Sequence, residues 1–195
     1  FIDNAELACR TLHWIDANPL GTASGYGVNL ALDRDGVTTD LGFDRLLVNP
    51  IAAQLSRGKY EWQALAVLAQ ALNDVRRFAW DLSLFSSAEF DFVALPNAFT
   101  TGSSLMPNKR NPDVVELLRA SPSVVHGAMQ ELQSLSSLPS GYHRDMQAGK
   151  GPLLRAFAHG LDALAVAARV FDALAWKPER MRAAIDAGMY ATDRA

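Results

Sequence analysis

The sequence predicts an all-α fold built as a bundle of long helices, on three observations. Two runs repeat apolar residues at alternating three- and four-residue steps: Leu65, Leu68, Leu72, Val75, Ala79 and Leu82, then Leu154, Phe157, Leu161, Leu164, Ala168 and Phe171. A third stretch, Asn111 to Leu138, runs apolar through Val114, Leu118, Val125, Met129 and Leu132. Strand patterning is confined to one place, around Phe90 to Val93. The two narrow seams are heptad-like, and seams without partners in one chain imply partners from other chains, so an oligomer is expected.

The elements follow in order. Phe1 to Ala17 reads as a helix already under way, with no cap before it. "ANPLGTASGYG", Ala17 to Gly27, is a loop rich in glycine and hydroxyls. The first seam comes next, then the strand signal inside "SSAEFDFVALPNAFTTGSS". The third stretch opens with Asn111 as a good N-cap and Pro112 in the first turn, and Pro122 should bend it. After the second seam, "WKPERMRAAIDAG" starts a short helix near Pro178. The domain expectation is therefore a central helical bundle over 1-175, incomplete at its N-terminus, and the start of a small C-terminal helical domain over 176-195. The uncapped helical patterns at both ends make the chain look like part of a longer protein.

Composition excludes several classes. Of 195 residues 49% are apolar, enough for a sizeable core. The net charge of −3 carries no basic block, which argues against nucleic acid and against an anionic membrane surface. The longest apolar stretch, Leu161 to Trp176, contains Asp162, Arg169 and Asp172, too short and too charged to span a bilayer. Cys9 is the only cysteine, which excludes an intrachain disulfide and a cysteine-based zinc cluster and fits a reducing, cytoplasmic setting. No His/Asp/Glu set has metal-ligand spacing, and no dinucleotide, phosphate-loop or nucleophile-elbow motif occurs.

The chemistry concentrates in "TTGSSLMPNKRNPD", Thr100 to Asp113. Pro107 and Pro112 remove N–H donors and restrict Met106 and Asn111, so this segment cannot extend either neighbouring helix. Gly102 permits a tight or left-handed turn that exposes the N–H groups of Ser103 and Ser104, while Lys109, Arg110 and the following helix start add positive potential. Two readings stay open on spacing alone. The stretch is either a Gly-Ser-Ser turn leading into a capped helix, or an anion-binding loop able to stabilise charge beside an abstracted proton.

The full string "GSSLMPNKRNPD" resembles the signature loop of the fumarase/aspartase superfamily, roughly GSSxMPxKxNP. "ANPLGTASGYG" resembles that superfamily's Pro-Leu-Gly loop. "FSSAEFDFVALPNAFTTGSSLMPNKRNPD" and "LPSGYHRDMQAGK" look like its argininosuccinate lyase branch. The resemblance covers nearly the whole chain, most strongly from Phe85 to Lys150. It implies a homotetrameric helical core with composite active sites, each drawing on three subunits, and a cofactor-free β-elimination. Argininosuccinate would yield fumarate and arginine, a step of arginine biosynthesis.

Residue by residue, the resemblance implies Ser103 as the base, Lys109 binding the fumaryl carboxylate and Glu116 as partner of a general-acid histidine. Ser104, Asn111, Tyr142, Arg144, Gln147 and Lys150 would contact substrate. Ser103 as an alkoxide would need nearby N–H groups and a cationic field. Some positions depart from the pattern. Arg144 stands where lysine is usual, Ala148 and Gly149 replace an acidic pair, and "LSRGKYEW" stands where Ser-Asp-Arg-Asp is common. The implied acid histidine precedes Phe1, and none of His13, His126, His143 or His159 stands in its context, so the 195-residue chain alone is expected to be inactive. The alternatives are another fumarate-releasing lyase of adenylosuccinate lyase type, or a non-catalytic structural homologue such as a lens crystallin.

Overall fold

The computed structural model describes residues 1–106, 108–136, 138–186 and 188. Pro107, and most of the C-terminal stretch after Asp186 that was expected to open a small domain, lie outside them. Eight α-helices dominate the described residues: α1 (Ile2–Ile15), α2 (Arg34–Asp40), α3 (Pro50–Leu55), α4 (Lys59–Phe85), α5 (Asp113–Ala120), α6 (Pro122–Leu135), α7 (Lys150–Ala173) and α8 (Pro178–Ala183). Four two-residue strands pair in two places, β1 (Ala17–Asn18) parallel to β2 (Arg45–Leu46) and β3 (Val93–Ala94) antiparallel to β4 (Ala175–Trp176). The chain forms two compact units, Phe1–Leu72 with Pro122–Leu161, and Asn73–Ser121 with Asp162–Ala195.

In the first unit α4 buries Leu65, Leu68 and Leu72, α6 buries Val125, Ala128 and Leu132, and α7 buries Ala156. Gly160 of α7 is buried against Leu68, whose Cδ2 lies 2.6 Å from where a Cβ would stand. Close approach of two helices is the reason for glycine there. The Pro-Leu-Gly loop is braced by Asn18, whose side-chain amide donates to the Thr38 hydroxyl at 3.0 Å and the Arg34 carbonyl at 3.3 Å. Arg34 in turn donates to the carbonyls of Leu20 at 2.7 Å and Leu47 at 2.5 Å. Asp33 caps α2 through the Gly36 N–H, and Asn49 caps α3 through those of Ile51 and Ala52.

In the second unit the core is Val75, Ala79 and Leu82 of α4, Val93, Leu95, Val115, Leu118 and, from α7, Ala163, Ala167 and Val170. Phe78 stacks on Phe171 with ring centroids 3.6 Å apart. Phe85, Phe90 and Phe92 form a second aromatic cluster. That cluster moves the expected strand. Asp91 takes φ 51° and turns the chain so that both phenylalanines reach Phe85, and pairing begins only at Val93.

Three expectations change. The α4 seam, expected to face other subunits, is buried within this chain from Leu65 to Leu82. On α7 the buried stripe is made of smaller residues, and the seam leucines Leu154 and Leu161 stay 69% and 56% exposed. Asn111 does not cap the third helical stretch: its N–H and carbonyl are taken by Thr101 at 2.8 and 3.0 Å, and Pro112 occupies the cap position. Pro122, lacking an N–H, divides the stretch into α5 and α6 as its ring requires.

Replacing Gly160 by valine should displace Leu68 and destabilise the protein by about 1–3 kcal/mol, the usual range for overpacking. The midpoint of urea unfolding measures it, and Gly160→Val at the wild-type midpoint would refute this packing.

Candidate active site

The predicted site residues fall into two groups, one in each unit. Ser103, Ser104, Lys109, Asn111 and Glu116 belong to the second unit, Tyr142, Arg144, Gln147 and Lys150 to the first.

The loop of the second group is closed at its stem. Thr101 and Asn111 pair as an antiparallel bridge, and the Thr101 hydroxyl donates to the Asp113 carboxylate. Arg110 donates to the side-chain carbonyl of Asn97. The residues between are thereby held at both ends while little packs over them, and Leu105 is 90% exposed. Gly102 does not take the left-handed conformation that its sequence allowed, and a Cβ there would stand 3.9 Å from the Lys109 carbonyl oxygen, an ordinary contact. The N–H groups of Ser103 and Ser104 make no hydrogen bond among the described residues.

Ser103 is half-buried, and its Oγ accepts the N–H groups of Leu105 at 3.2 Å and Met106 at 3.3 Å. Two amide donors on a hydroxyl oxygen favour its deprotonated form. Lys109 is exposed, its N–H bonded to the Met106 carbonyl at 2.9 Å, and its ammonium makes no ion pair among the described residues. It is a cation available to a ligand. Glu116 lies in the first turn of α5, its carboxylate 3.6 Å from Arg119, whose guanidinium sits 4.4 Å from the Trp80 ring centroid.

In the first unit the Gln147 amide donates to the Tyr142 hydroxyl at 3.4 Å. Arg57 lies 5.7 Å from the Tyr142 ring centroid, and the Gln54 amide donates to the Gly141 carbonyl at 3.4 Å. Arg144 and Lys150 are exposed at the start of a 3-10 helix and of α7. The substitution at Gly149 has a structural cause: a Cβ there would stand 2.7 Å from Leu132 Cδ2. Nothing in the structure explains Ala148. Arg57 lies inside "LSRGKYEW", a segment that by residue type only departs from the family pattern.

A cavity of about 400 Å³ in the same unit is lined by Thr22, Ser24, Gln54, Arg57, Tyr60 and Glu61 among others. Ser24 in its wall and the preceding Ala23 take φ 54° and 42°, a backbone strain of the kind concentrated at functional sites. Burial raises the Tyr60 phenol, but hydrogen bonds with Ser56 and Arg45 and the charges of Arg45 and Lys59 outweigh it, leaving its pKa lowered. Among the described residues no group of three His, Cys, Asp or Glu side chains is placed to hold a metal.

A family model described as "Lyase" matches residues 8–127. Argininosuccinate lyase of Xanthomonas axonopodis pv. citri (strain 306) is 61% identical over 193 residues, 99% of this chain and 45% of the relative. Argininosuccinate lyase of Xylella fastidiosa (strain Temecula1 / ATCC 700964) is 60% identical over 195 residues, 100% of this chain and 44% of the relative. The chain thus spans less than half the length of these relatives. Among solved structures, EDDS lyase in complex with formate matches with a TM-score of 0.74 at 28% identity, over 92% of this chain and 36% of that one. Class II fumarase from Schistosoma mansoni matches in fold, with a TM-score of 0.77 at 20% identity over 92% of this chain and 43% of that one.

Because the folded state favours the Tyr60 phenolate, stability should rise as pH climbs through its lowered pKa and reach its full increment above the ordinary phenol value of about 10. It is lost as pH falls again. Tyr60→Phe should remove one phenol from an ultraviolet titration and abolish this alkaline increment of stability. An unchanged titration curve would refute the assignment.

Proposed function

The chain belongs to the lyase family whose model spans residues 8–127, and from that membership we propose that the complete protein is an argininosuccinate lyase. It would cleave argininosuccinate to fumarate and arginine. The observation that carries this is the 61% identity over 99% of the chain to an argininosuccinate lyase, joined to an intact Ser103, Lys109 and Asn111 in the loop.

Ser103 would act as base, taking the Cβ proton of the succinyl group. Its alkoxide would be supported by the Leu105 and Met106 N–H groups that already point at Oγ. The electron pair left on Cβ delocalises into the adjacent carboxylate, and the free ammonium of Lys109 would oppose that charge. The Cα–N bond then breaks, fumarate forms, and the departing nitrogen takes a proton from the general acid, with Glu116 as that acid's partner. Ser104 and Asn111 would assist at the carboxylate. Tyr142, Arg144, Gln147 and Lys150 would contact substrate, joined by Arg57, which the Tyr142 ring holds within its group. The elimination balances without a cofactor.

We further propose a homotetramer with composite active sites, in the cytoplasm. Exposed Leu154 and Leu161 support the assembly, since apolar residues at seam spacing left uncovered in one chain suit a second helix of the same kind. The unpaired Cys9 suits a reducing compartment. No helix among the described residues is long and apolar enough to cross a membrane.

Two measurements test the reading. In the complete protein Ser103→Ala should lower kcat by orders of magnitude with little change in KM, whereas Lys109→Ala should impair both. Ordinary fumarate release by Ser103→Ala would overturn the base. Leu154→Glu with Leu161→Glu should convert the tetramer to smaller species in sedimentation, and a wild-type monomer at micromolar concentration would overturn the assembly.

A further inference from the structure

Behind the stem of the loop, within the second unit, lies a cavity of about 450 Å³ that the elimination does not use. Its walls carry the hydroxyls of Ser83, Ser86 and Ser87 at the end of α4, and Thr100 from the loop stem. Arg110 and Lys177 supply two cations, and Asp91 one carboxylate. Four half-buried hydroxyls and two cations share its walls with Val93, Ala94 and Leu95.

The hydrogen-bond inventory decides what it would hold. Ser83 donates to the Ala79 carbonyl at 2.7 Å and Thr100 to the Asn97 carbonyl at 3.3 Å, so those protons are committed. Ser86 has no side-chain partner among the described residues. Ser87 accepts the Phe90 N–H at 3.5 Å, and among the described residues its own proton has no partner. Arg110 commits one terminal nitrogen to Asn97, and among the described residues its Nε and second terminal nitrogen have no partner. Lys177 pairs with Asp91 through one of three protons, and that pair cancels in charge. The surplus is in donors and in positive charge. Asp91 itself is held in the left-handed region at φ 51°, with its N–H bonded to the Ser87 carbonyl at 2.8 Å, so the Lys177 partner is fixed by the backbone turn.

We propose that this cavity is a second binding site, distinct from the signature loop's catalytic face, for a small oxyanion bearing a carboxylate or phosphate group. Ser86, Ser87, Arg110 and Lys177 donate to its oxygens. Two of its walls, Thr100 and Arg110, flank the residues that carry Ser103 and Lys109, so the anion would bind at the fixed end of the catalytic loop. The inference rests on the donor surplus and stands whether or not argininosuccinate is the substrate.

Equilibrium dialysis of the complete protein against labelled inorganic phosphate and, separately, labelled succinate, at constant ionic strength, tests it. The Lys109→Ala background removes the loop's own cation. A saturable site should persist in that background, weaken at least tenfold in Ser86→Ala/Ser87→Ala, and disappear in Lys177→Met. The two probes show whether phosphate or carboxylate is preferred. The paired serine variant removes only hydroxyls and leaves the Asp91 pair intact, and Lys177→Arg should retain binding if Lys177→Met fails to fold. Absence of a saturable site in the Lys109→Ala protein, or equal affinity in a serine variant that melts at the wild-type temperature, would overturn the proposal.

Discussion

The buried seam of α4 is the constraint on which the rest depends. Leu65, Leu72, Ala79 and Leu82 have no exposure at all, and each full leucine burial contributes about 1.5–3 kcal/mol. One helix of 27 residues therefore supplies the inner wall of both compact units, its first half to one and its second half to the other. Helices packed on it must match its spacing. Gly160 of α7 is small because Leu68 already fills that space.

From that wall outward, the second unit turns a short stem into a chemical platform. Val115 and Leu118 bury one face of α5 and so fix where Asp113 stands. Asp113 takes the Thr101 hydroxyl, and Asn111 takes the Thr101 backbone. Ser103 is thus tied to the core through two residues, while the loop beyond it remains open to solvent. The proposed role of Ser103 as a base would need both conditions, a fixed stem and an uncovered tip.

The first unit solves a different problem with polar groups. Asn18 is nearly fully buried, yet its amide makes hydrogen bonds to Thr38, Arg34 and Leu20, and Arg34 bonds two further carbonyls. A loop with so many glycines would otherwise lose little by moving; this network determines its path. In the same unit His143 Nε2 is buried with no hydrogen-bond partner among the described residues, beside a cavity of about 90 Å³ lined also by Arg57 and Ser136.

Helical class, the place of the two seam helices, an interruption at Pro122, expected as a bend and found as a break, and the short helix at Pro178 were legible in the sequence, because period and proline act locally. The signature loop was legible too, since its residue types are unusual wherever they are placed. What the sequence by itself could not decide is direction. Both seams carry the same spacing, yet one is buried in the chain and the other left partly exposed, because Gly160 lets the small stripe of α7, and not its leucines, approach Leu68. Asn111 reads as a helix cap by type, and only the pairing with Thr101 makes it half of a loop stem. Arg57 joins Tyr142 across 85 positions of sequence, a neighbourhood that no local pattern encodes and that packing of the intervening helices creates.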